Sequence, residues 1–260
     1  MNEPSVRPPT RLRRGWLCGL LGLCMLAIPG ARAAEPVRVL TEEFPPYNYT
    51  EHGRITGLGT ELVEAVLQHL GLQGQFQSMP WARAYETAKG TPGVLLYSIL
   101  RTPEREKHFK WVGLIAHADY HLFALAGREV RLASLEDAKR WQIGTVQQSV
   151  GEQFLLTQGF LKGQNLQSGV RNEANFEKLQ QGRIDLWIMN RSSAQHLVRQ
   201  AGLDPQQTLA SALHIPELSG KGYYMAFGAQ TPDAQVDQFR KGLEAIRRNG
   251  TAHRLERKWQ

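Results

Sequence analysis

Segments with a strand pattern and segments with a helix pattern alternate along the chain, and this alternation constrains the fold more than any other feature. Residues 37–40 and 75–78 resemble strands, and residues 94–98 form an apolar run typical of a buried strand. Between them, residues 60–70 place apolar side chains on one helical face, and residues 81–89 predict a second helix. A β-α-β-α-β order predicts a mainly parallel sheet covered by helices.

The second half of the chain repeats this pattern. Its predicted strands are 142–146, 167–171 and 184–189, and its predicted helices are 149–158, 175–181 and 192–200. No low-complexity linker separates the halves. We therefore expect two α/β units that share short crossing strands.

The first 33 residues have the features of a secretory signal peptide. Four arginines precede an apolar run of 13 residues from Trp16 to Ile28, and a small-residue site ends at Ala33. A bilayer span needs about 20 apolar residues, so cleavage after Ala33 is expected instead. Cys24 follows Leu23, which is too large for lipoprotein processing, and ordinary export is favoured over the twin-arginine route that Arg13 and its neighbour suggest. The sequence predicts a periplasmic protein.

Removal of this segment changes the charge and the cysteine content. The whole chain has 31 basic and 24 acidic residues, a net charge of +7, whereas residues 34–260 have 26 basic and 23 acidic residues. A nucleic-acid partner is therefore not expected. Both cysteines, Cys18 and Cys24, lie in the signal peptide. The exported chain would have no disulfide, no thiolate nucleophile and no cysteine-based metal site.

Two motifs suggest cofactor or metal sites but have weak contexts. Gly57-Leu58-Gly59 imitates a dinucleotide-binding loop but lacks the third glycine. His117 and His121 flank Asp119, but this segment is predicted to be extended, which would place the two histidines ~13 Å apart. We therefore expect neither a cofactor nor a metal.

Three segments have the chemistry of a ligand site. In Phe44-Pro45-Pro46-Tyr47, prolines stiffen a loop that follows a strand, where α/β proteins place ligand loops. Arg105 follows the buried strand, and its planar guanidinium suits a carboxylate. Ser149 begins a predicted helix, where free backbone N–H groups can hold an anion. Trp81 and the loop aromatics could equally belong to the core.

The ordered set of motifs resembles the extracellular solute-binding proteins of ABC importers, in the branch that binds polar amino acids. The segments that carry the resemblance are 43–48, 57–63, 80–84, 97–105, 109–113, 143–151, 182–185 and the tail from Asn249 to Trp259.

This resemblance implies a two-lobed α/β clamp in which each lobe is a mainly parallel sheet flanked by helices. Lobe 1 would comprise 34–120 and 222–260, and lobe 2 would comprise 121–221. Two crossing segments, near Tyr120–His121 and Gly220–Gly222, would form the hinge. The implied protein is a monomer that delivers a small molecule to an importer permease in the inner membrane.

The resemblance also implies roles for individual residues. An arginine in the position of Arg105 grips the ligand carboxylate in amino-acid-binding relatives, assisted from the positions of Ser98 and Leu100. Backbone N–H groups at Ser149 and Val150 would reach the ligand from the other lobe.

The remaining predicted ligand residues are aromatic or neutral. Phe44 would cover the ligand side chain, and Tyr47 and Trp81 complete the aromatic set. Relatives have an aspartate for the ligand ammonium where this chain has Asn190, and a serine where it has Leu100. The asparagine can accept a hydrogen bond but provides no counter-charge. A carboxylate ligand is thus a firmer inference than an α-amino acid.

Two alternatives stay open from the sequence. Some dehydratases that act on prephenate-like acids resemble these binders, and Glu43, Glu61 or Glu173 could supply the acid or base that such chemistry needs. The protein could also present its ligand to a membrane sensor. Our prediction is a binding protein and not an enzyme.

Overall fold

The computed structural model describes Met1 and residues 35–259. The predicted signal peptide, apart from Met1, lies outside the described residues. The strands are β1 (Val37–Thr41), β2 (Tyr49–Glu51), β3 (Arg54–Thr56), β4 (Gly74–Ser78), β5 (Leu95–Leu100), β6 (Phe109–His117), β7 (Tyr120–Leu125), β8 (Ile143–Val146), β9 (Leu166–Gly169), β10 (Leu186–Asn190), β11 (Leu209–His214) and β12 (Gly222–Gly228). The helices are α1 (Leu58–Leu70), α2 (Trp81–Gly90), α3 (Pro103–Glu106), α4 (Val150–Thr157), α5 (Asn172–Gln180), α6 (Arg191–Gln200), α7 (Pro205–Thr208), α8 (Asp233–Arg248) and α9 (Thr251–Lys258), with a 3₁₀ turn at Glu136–Arg140.

The strands form two five-stranded sheets and one short ribbon. The first sheet has the order β4-β1-β5-β12-β6, the second has the order β11-β7-β10-β8-β9, and β2 pairs with β3. The chain leaves the first sheet after β6 and returns to it only with β12. The predicted α/β architecture of two helix-flanked sheets is confirmed.

The sheets are mixed, whereas the sequence predicted mainly parallel ones. In the first sheet β1 is parallel to β4 and β5, but β12 is antiparallel to β5 and β6. In the second, β8 is parallel to β9 and β10, but β7 is antiparallel to β10 and β11. The difference comes from β7 and β12, which follow the crossings. A strand that arrives without a crossover helix is free to pair antiparallel.

The central strand β5 is buried on both faces, which explains its continuous apolar sequence. Leu95 packs in the same cluster as Leu62 of α1, whereas Leu96 packs in a second cluster with Trp81 and Ala84 of α2. Alternate residues of one strand therefore anchor helices on opposite faces of the sheet. Each fully buried Leu side chain contributes roughly 1.5–3 kcal/mol.

The glycine that precedes α1 allows a close backbone contact. A Cβ atom on Gly57, which has φ 110°, would lie 2.5 Å from the carbonyl oxygen of Tyr47. The amides of Leu58 and Gly59 donate to the carbonyls of Pro46 and Tyr47 at 3.1 and 2.7 Å. The helix therefore begins at Leu58 and uses its first N–H groups on the Pro46–Tyr47 loop. This motif holds a loop rather than a nucleotide phosphate.

Two backbone hydrogen bonds join the segments that cross between the sheets. The amide of Ala118 donates to the carbonyl of Lys221 at 2.9 Å, and the amide of Gly220 donates to the carbonyl of Ala118 at 3.0 Å. Across the described part of the chain, we find no helix with the length and apolarity needed to cross a bilayer.

Candidate functional site

A narrow cavity lies between the two sheets, where the carboxyl ends of β1, β5, β8 and β10 approach one another. The space in it that a water-sized sphere can reach is about 30 Å³, so the two walls lie close together in this structure. Seven of the nine sequence-predicted ligand residues line it: Phe44, Trp81, Ser98, Leu100, Arg105, Ser149 and Val150. Tyr47 and Asn190 lie behind this lining.

Arg105 has the most distinctive environment of these residues. It lies on α3 with only 1% of its surface exposed, and the rings of Trp81 and Tyr85 lie 5.4 and 5.3 Å from its guanidinium. Nη1 donates to the carbonyl of Leu100 at 2.9 Å, and Nη2 donates to Oε1 of Gln153 at 3.1 Å. Within residues 35–259 its Nε has no hydrogen-bond partner.

The Arg105 guanidinium is buried, and its hydrogen bonds go to a carbonyl and an amide oxygen rather than to a carboxylate that would balance its charge. Desolvation lowers the pKa of Arg105, although a guanidinium stays charged at neutral pH. A buried cation is stabilised when an anion joins it. A ligand carboxylate in the cavity would supply that anion.

Ser98 lines the same cavity as Arg105 and lies at a bulge in β5. Its φ of 59° is unusual for serine, and the pairing register with β12 shifts across this position. The bulge also exchanges the faces of the strand: Tyr97 packs on the α1 side, but Ile99 packs with the α2 cluster. Bulges re-aim side chains near functional sites. The Ser98 hydroxyl is buried and unpartnered among the described residues, so it is available to a ligand.

Leu100 contributes its backbone rather than a polar side chain. Its carbonyl accepts a hydrogen bond from Arg105 and fixes the guanidinium, while its side chain is an apolar part of the lining. Leucine at this position therefore brings no hydroxyl to the cavity, and the contact with the arginine is made by the backbone.

Ser149 and Val150 form the start of α4. The Ser149 hydroxyl accepts a hydrogen bond from the amide of Glu152 at 3.1 Å, as an N-cap residue does. Gly151 joins Val150 in the lining. The amides of the first helical turn have no acceptor within their helix, so this end of α4 favours a negative group.

Three hydrogen bonds run from predicted ligand residues on the side of the first sheet to residues on the side of the second. The indole Nε1 of Trp81 donates to the carbonyl of Gln148 at 2.8 Å, and Arg105 donates to Gln153. The hydroxyl of Tyr47 donates to Oδ1 of Asn190 at 3.5 Å. These contacts hold the two walls together.

Asn190 uses its carbonyl oxygen as the N-cap of α6. Oδ1 accepts from the amides of Ser192 and Ser193 at 3.0 and 3.4 Å. This arrangement directs the side chain toward its own helix, and the structure does not bring Asn190 into the cavity lining. Tyr47 likewise stacks on Phe44 at 5.3 Å and supports that ring from behind.

The acidic residue of the cavity is Glu42, which the sequence analysis did not select. It directly follows β1 and is half-buried. Burial, together with the carboxylates of Glu173 and Glu43, raises the pKa of Glu42 from 4.5 to about 8, while Arg105 acts in the opposite direction. Glu42 therefore holds a proton at neutral pH until a cation approaches it. Its place at the end of a predicted strand was the signal that could have identified it.

The three acidic candidates from the sequence lie outside the cavity lining. Glu43 accepts hydrogen bonds from the amide and hydroxyl of Thr50 at 2.7 and 2.8 Å. Glu61 pairs with Lys258 at 2.5 Å, and Glu173 is partly buried with a raised pKa caused mainly by desolvation.

Sequence reasoning also missed most of the floor. Tyr120 and Tyr223 line it and are almost fully buried, and Asn172, Ile188 and Met189 complete it from the second sheet. Tyr120 and Tyr223 belong to the strands that follow the two crossings, so only the topology places them together.

Comparisons with known proteins agree with this geometry. The L-cystine-binding protein TcyJ of Escherichia coli strain K12 is 19% identical over 218 residues, which cover 83% of this chain and 79% of that protein. Similar solved structures include an ancestral arginine-binding protein bound to arginine, with TM-score 0.77, 22% identity and coverage of 87% of this chain and 99% of that one. A histidine kinase sensor domain with similarity to periplasmic binding proteins has TM-score 0.77, 17% identity and coverage of 87% and 96%. The family model for bacterial extracellular solute-binding proteins, family 3, matches residues 37–260. This chain belongs to that family of solute-binding proteins.

Proposed function

We propose that this protein captures an amino acid or a closely related zwitterion between its two sheets and delivers it to an ABC importer. The buried guanidinium of Arg105, which has no bonded carboxylate among the described residues, carries this proposal. Its unpartnered Nε and the Ser98 hydroxyl provide two donors for a ligand carboxylate. The first turn of α4 supplies a third favourable element from the opposite wall.

Glu42 supports a positive group on the same ligand. A ligand ammonium beside it would stabilise the carboxylate and displace its proton. Glu42 thus replaces the counter-charge that Asn190 lacks. Cystine and arginine, the ligands named for two similar proteins, are amino acids and agree with a site that has one anionic and one cationic subsite.

Closure of two lobes would complete capture. The proposed lobes are 34–120 with 222–260, and 121–221, and the joined crossing segments act as their hinge. The proposed location is the periplasm, and the proposed partner is the permease of an importer in the inner membrane. The protein acts as a monomer and carries out no chemical conversion of its solute.

Isothermal titration against matched ligands tests the proposal. The set comprises L-amino acids, their decarboxylated amines and their deaminated acids. We expect micromolar or tighter binding of at least one amino acid, weaker binding of its acid analogue and none of the amine. Binding of the amine alone, or of no member of the set, would refute the proposal. Prephenate and arogenate are added to test the enzymatic alternative, and we expect no turnover.

A further inference from the structure

A second cluster of ligand-type side chains lies at the crossing between the sheets, away from the cavity lining. Asp119 lies in the first crossing, between β6 and β7, and His121 lies on β7. His214 ends β11 and is the antiparallel partner of His121. We call these three residues the crossing cluster. His117, the sequence neighbour first considered with His121, does not belong to it.

The nitrogen and oxygen atoms of the crossing cluster converge. Nε2 of His121 lies 2.8 Å from Oδ1 of Asp119, and Nε2 of His214 lies 3.4 Å from the same oxygen. The three ligand atoms all lie within 4.8 Å of one another. A tetrahedral zinc site with bonds of about 2.0–2.1 Å has ligand atoms about 3.3 Å apart. Only small side-chain movements separate this arrangement from that geometry.

The Nε2 atom of His121 has two close neighbours of opposite character. Nη2 of Arg191 lies 2.7 Å from it and can only donate, whereas Oδ1 of Asp119 lies 2.8 Å from it and, as a carboxylate oxygen, can only accept. A metal ion in place of the guanidinium would bind both the imidazole lone pair and the carboxylate oxygen. Nδ1 lies 2.7 Å from the hydroxyl of Ser211, a contact that can fix the ring while Nε2 binds an ion.

Arg191 already places a positive charge at this point. Its Nε donates to Oδ2 of Asp119 at 2.7 Å while its Nη2 reaches His121. The guanidinium thus bridges the carboxylate and the imidazole as a cation. Its side chain is 43% exposed, so it can move into solvent when another cation takes its place.

We propose that the crossing cluster binds a divalent transition-metal ion of the Zn²⁺ class, which displaces the guanidinium of Arg191. Two imidazoles and one carboxylate favour zinc, nickel or copper over calcium and magnesium, which prefer oxygen ligands. His214 is half-exposed, so the ion has a path from solvent and room for a water as fourth ligand. Such an ion ties the first crossing to β7 and β11.

Titration with Co²⁺, which gives visible absorption in tetrahedral sites, tests this proposal on the full exported chain without a histidine tag. We expect one equivalent to bind and to be displaced by Zn²⁺. His214→Gln should weaken binding by about 10-fold or more, and Ser211→Ala should weaken it to a smaller extent. Arg191→Gln should strengthen binding by about 10-fold, because the resident cation is removed.

His253→Gln is the matched control, because this histidine is exposed on α9, outside the cluster. It should leave cobalt binding unchanged. Equal binding by the wild-type and His214→Gln proteins, at equal melting temperature, would overturn the proposal. Absence of binding in both the wild-type and Arg191→Gln proteins would also overturn it. Neither result depends on the amino-acid ligand, so the two proposals fail separately.

Discussion

The wall of the cavity that comes from the first sheet carries ionisable groups, whereas the wall from the second sheet carries a helix start and neutral side chains. Arg105 and Glu42 belong to the first wall, together with the unpartnered hydroxyl of Ser98. Ser149 belongs to the second and caps α4 with its side-chain oxygen, and Asn190, which lies behind that wall, caps α6 in the same way. In the proposed function, charge recognition is therefore concentrated on one wall, and the other wall would close over it.

Substitutions on the two walls should therefore affect different quantities, ligand affinity and the free energy of unfolding. A substitution on the first wall should mainly change ligand binding, because its groups lack partners in the fold. A substitution on the second wall should mainly change unfolding, because its groups already satisfy helix ends. The following variants test that division.

Removal of the Arg105 guanidinium should have the largest effect. We expect Arg105→Ala to weaken binding of a carboxylate ligand at least about 100-fold, because charge-assisted hydrogen bonds in a buried site are lost. Titration calorimetry measures this change. Arg101→Ala is the control, since Arg101 pairs with exposed Glu106 outside the cavity. A loss of only a few-fold in the Arg105 variant would show that Arg105 does not anchor the ligand carboxylate.

Glu42→Gln should weaken binding of an amino acid by about tenfold, through loss of one charged contact. The wild-type affinity should rise between about pH 6 and about pH 8, because a bound ammonium makes Glu42 release its proton. Glu61→Gln is the control, because Glu61 lies outside the lining and pairs with Lys258, and it should keep both properties. A pH-independent affinity in the wild type would place the ligand ammonium elsewhere.

The same carboxyl group predicts a pH dependence of folding. The pKa of Glu42 is about 8 in the folded protein and near 4.5 when it is unfolded, so the folded state holds the proton more tightly. Its contribution to the free energy of unfolding is complete below about pH 4.5 and falls as the pH rises toward about 8. Denaturant unfolding of the unliganded protein should show a smaller decline for Glu42→Gln. An equal decline in both proteins would contradict the assigned environment.

On the second wall, Ser149→Ala should cost about 1 kcal/mol of unfolding free energy, because the N-cap of α4 is lost. Ligand affinity should fall by no more than a few-fold, since the backbone amides stay in place. Urea unfolding and calorimetry measure the two quantities. Ser134→Ala also removes a hydroxyl that accepts from a backbone amide, but away from the cavity, so it should lower stability and leave ligand affinity unchanged. A loss of affinity as large as that of Arg105→Ala would show that both walls contribute equally to ligand affinity.

Asn190→Asp should have the smallest effect on binding. The carboxylate would cap α6 at least as well as the amide and interact favourably with the helix dipole, raising stability by about 0.5 kcal/mol. Because the side chain lies behind the lining, affinity should change less than about threefold. A clear gain in affinity would show that the ligand ammonium contacts this position after all.

Much of the fold could be predicted because it depends on local periodicity. The continuous apolar run of β5 and the apolar face of α1 are visible in the sequence, and they indicate a sheet covered by helices. The direction of β7 and β12 could not be predicted, because it depends on how the chain returns from the other sheet. Arg105 could be selected because arginine is a poor choice for the start of a helix and a good one for a carboxylate.

Other parts of the site depend on tertiary contacts. The raised pKa of Glu42 results from burial and from neighbouring carboxylates that the sequence does not place. The cap at Asn190 needs the exact bend between β10 and α6, which residue type alone does not specify. The resemblance suggested a ligand role for Asn190, and that role stays a prediction that the aspartate variant tests.

The hydrogen bond from the Trp81 indole to the Gln148 carbonyl makes Trp81 an intrinsic fluorescent reporter of the contact between the two walls. The ring is only 4% exposed while that bond exists, and separation of the walls would expose it to solvent. The difference in fluorescence between the wild type and Trp81→Phe would therefore report separation and closure of the two walls in real time, with no attached dye.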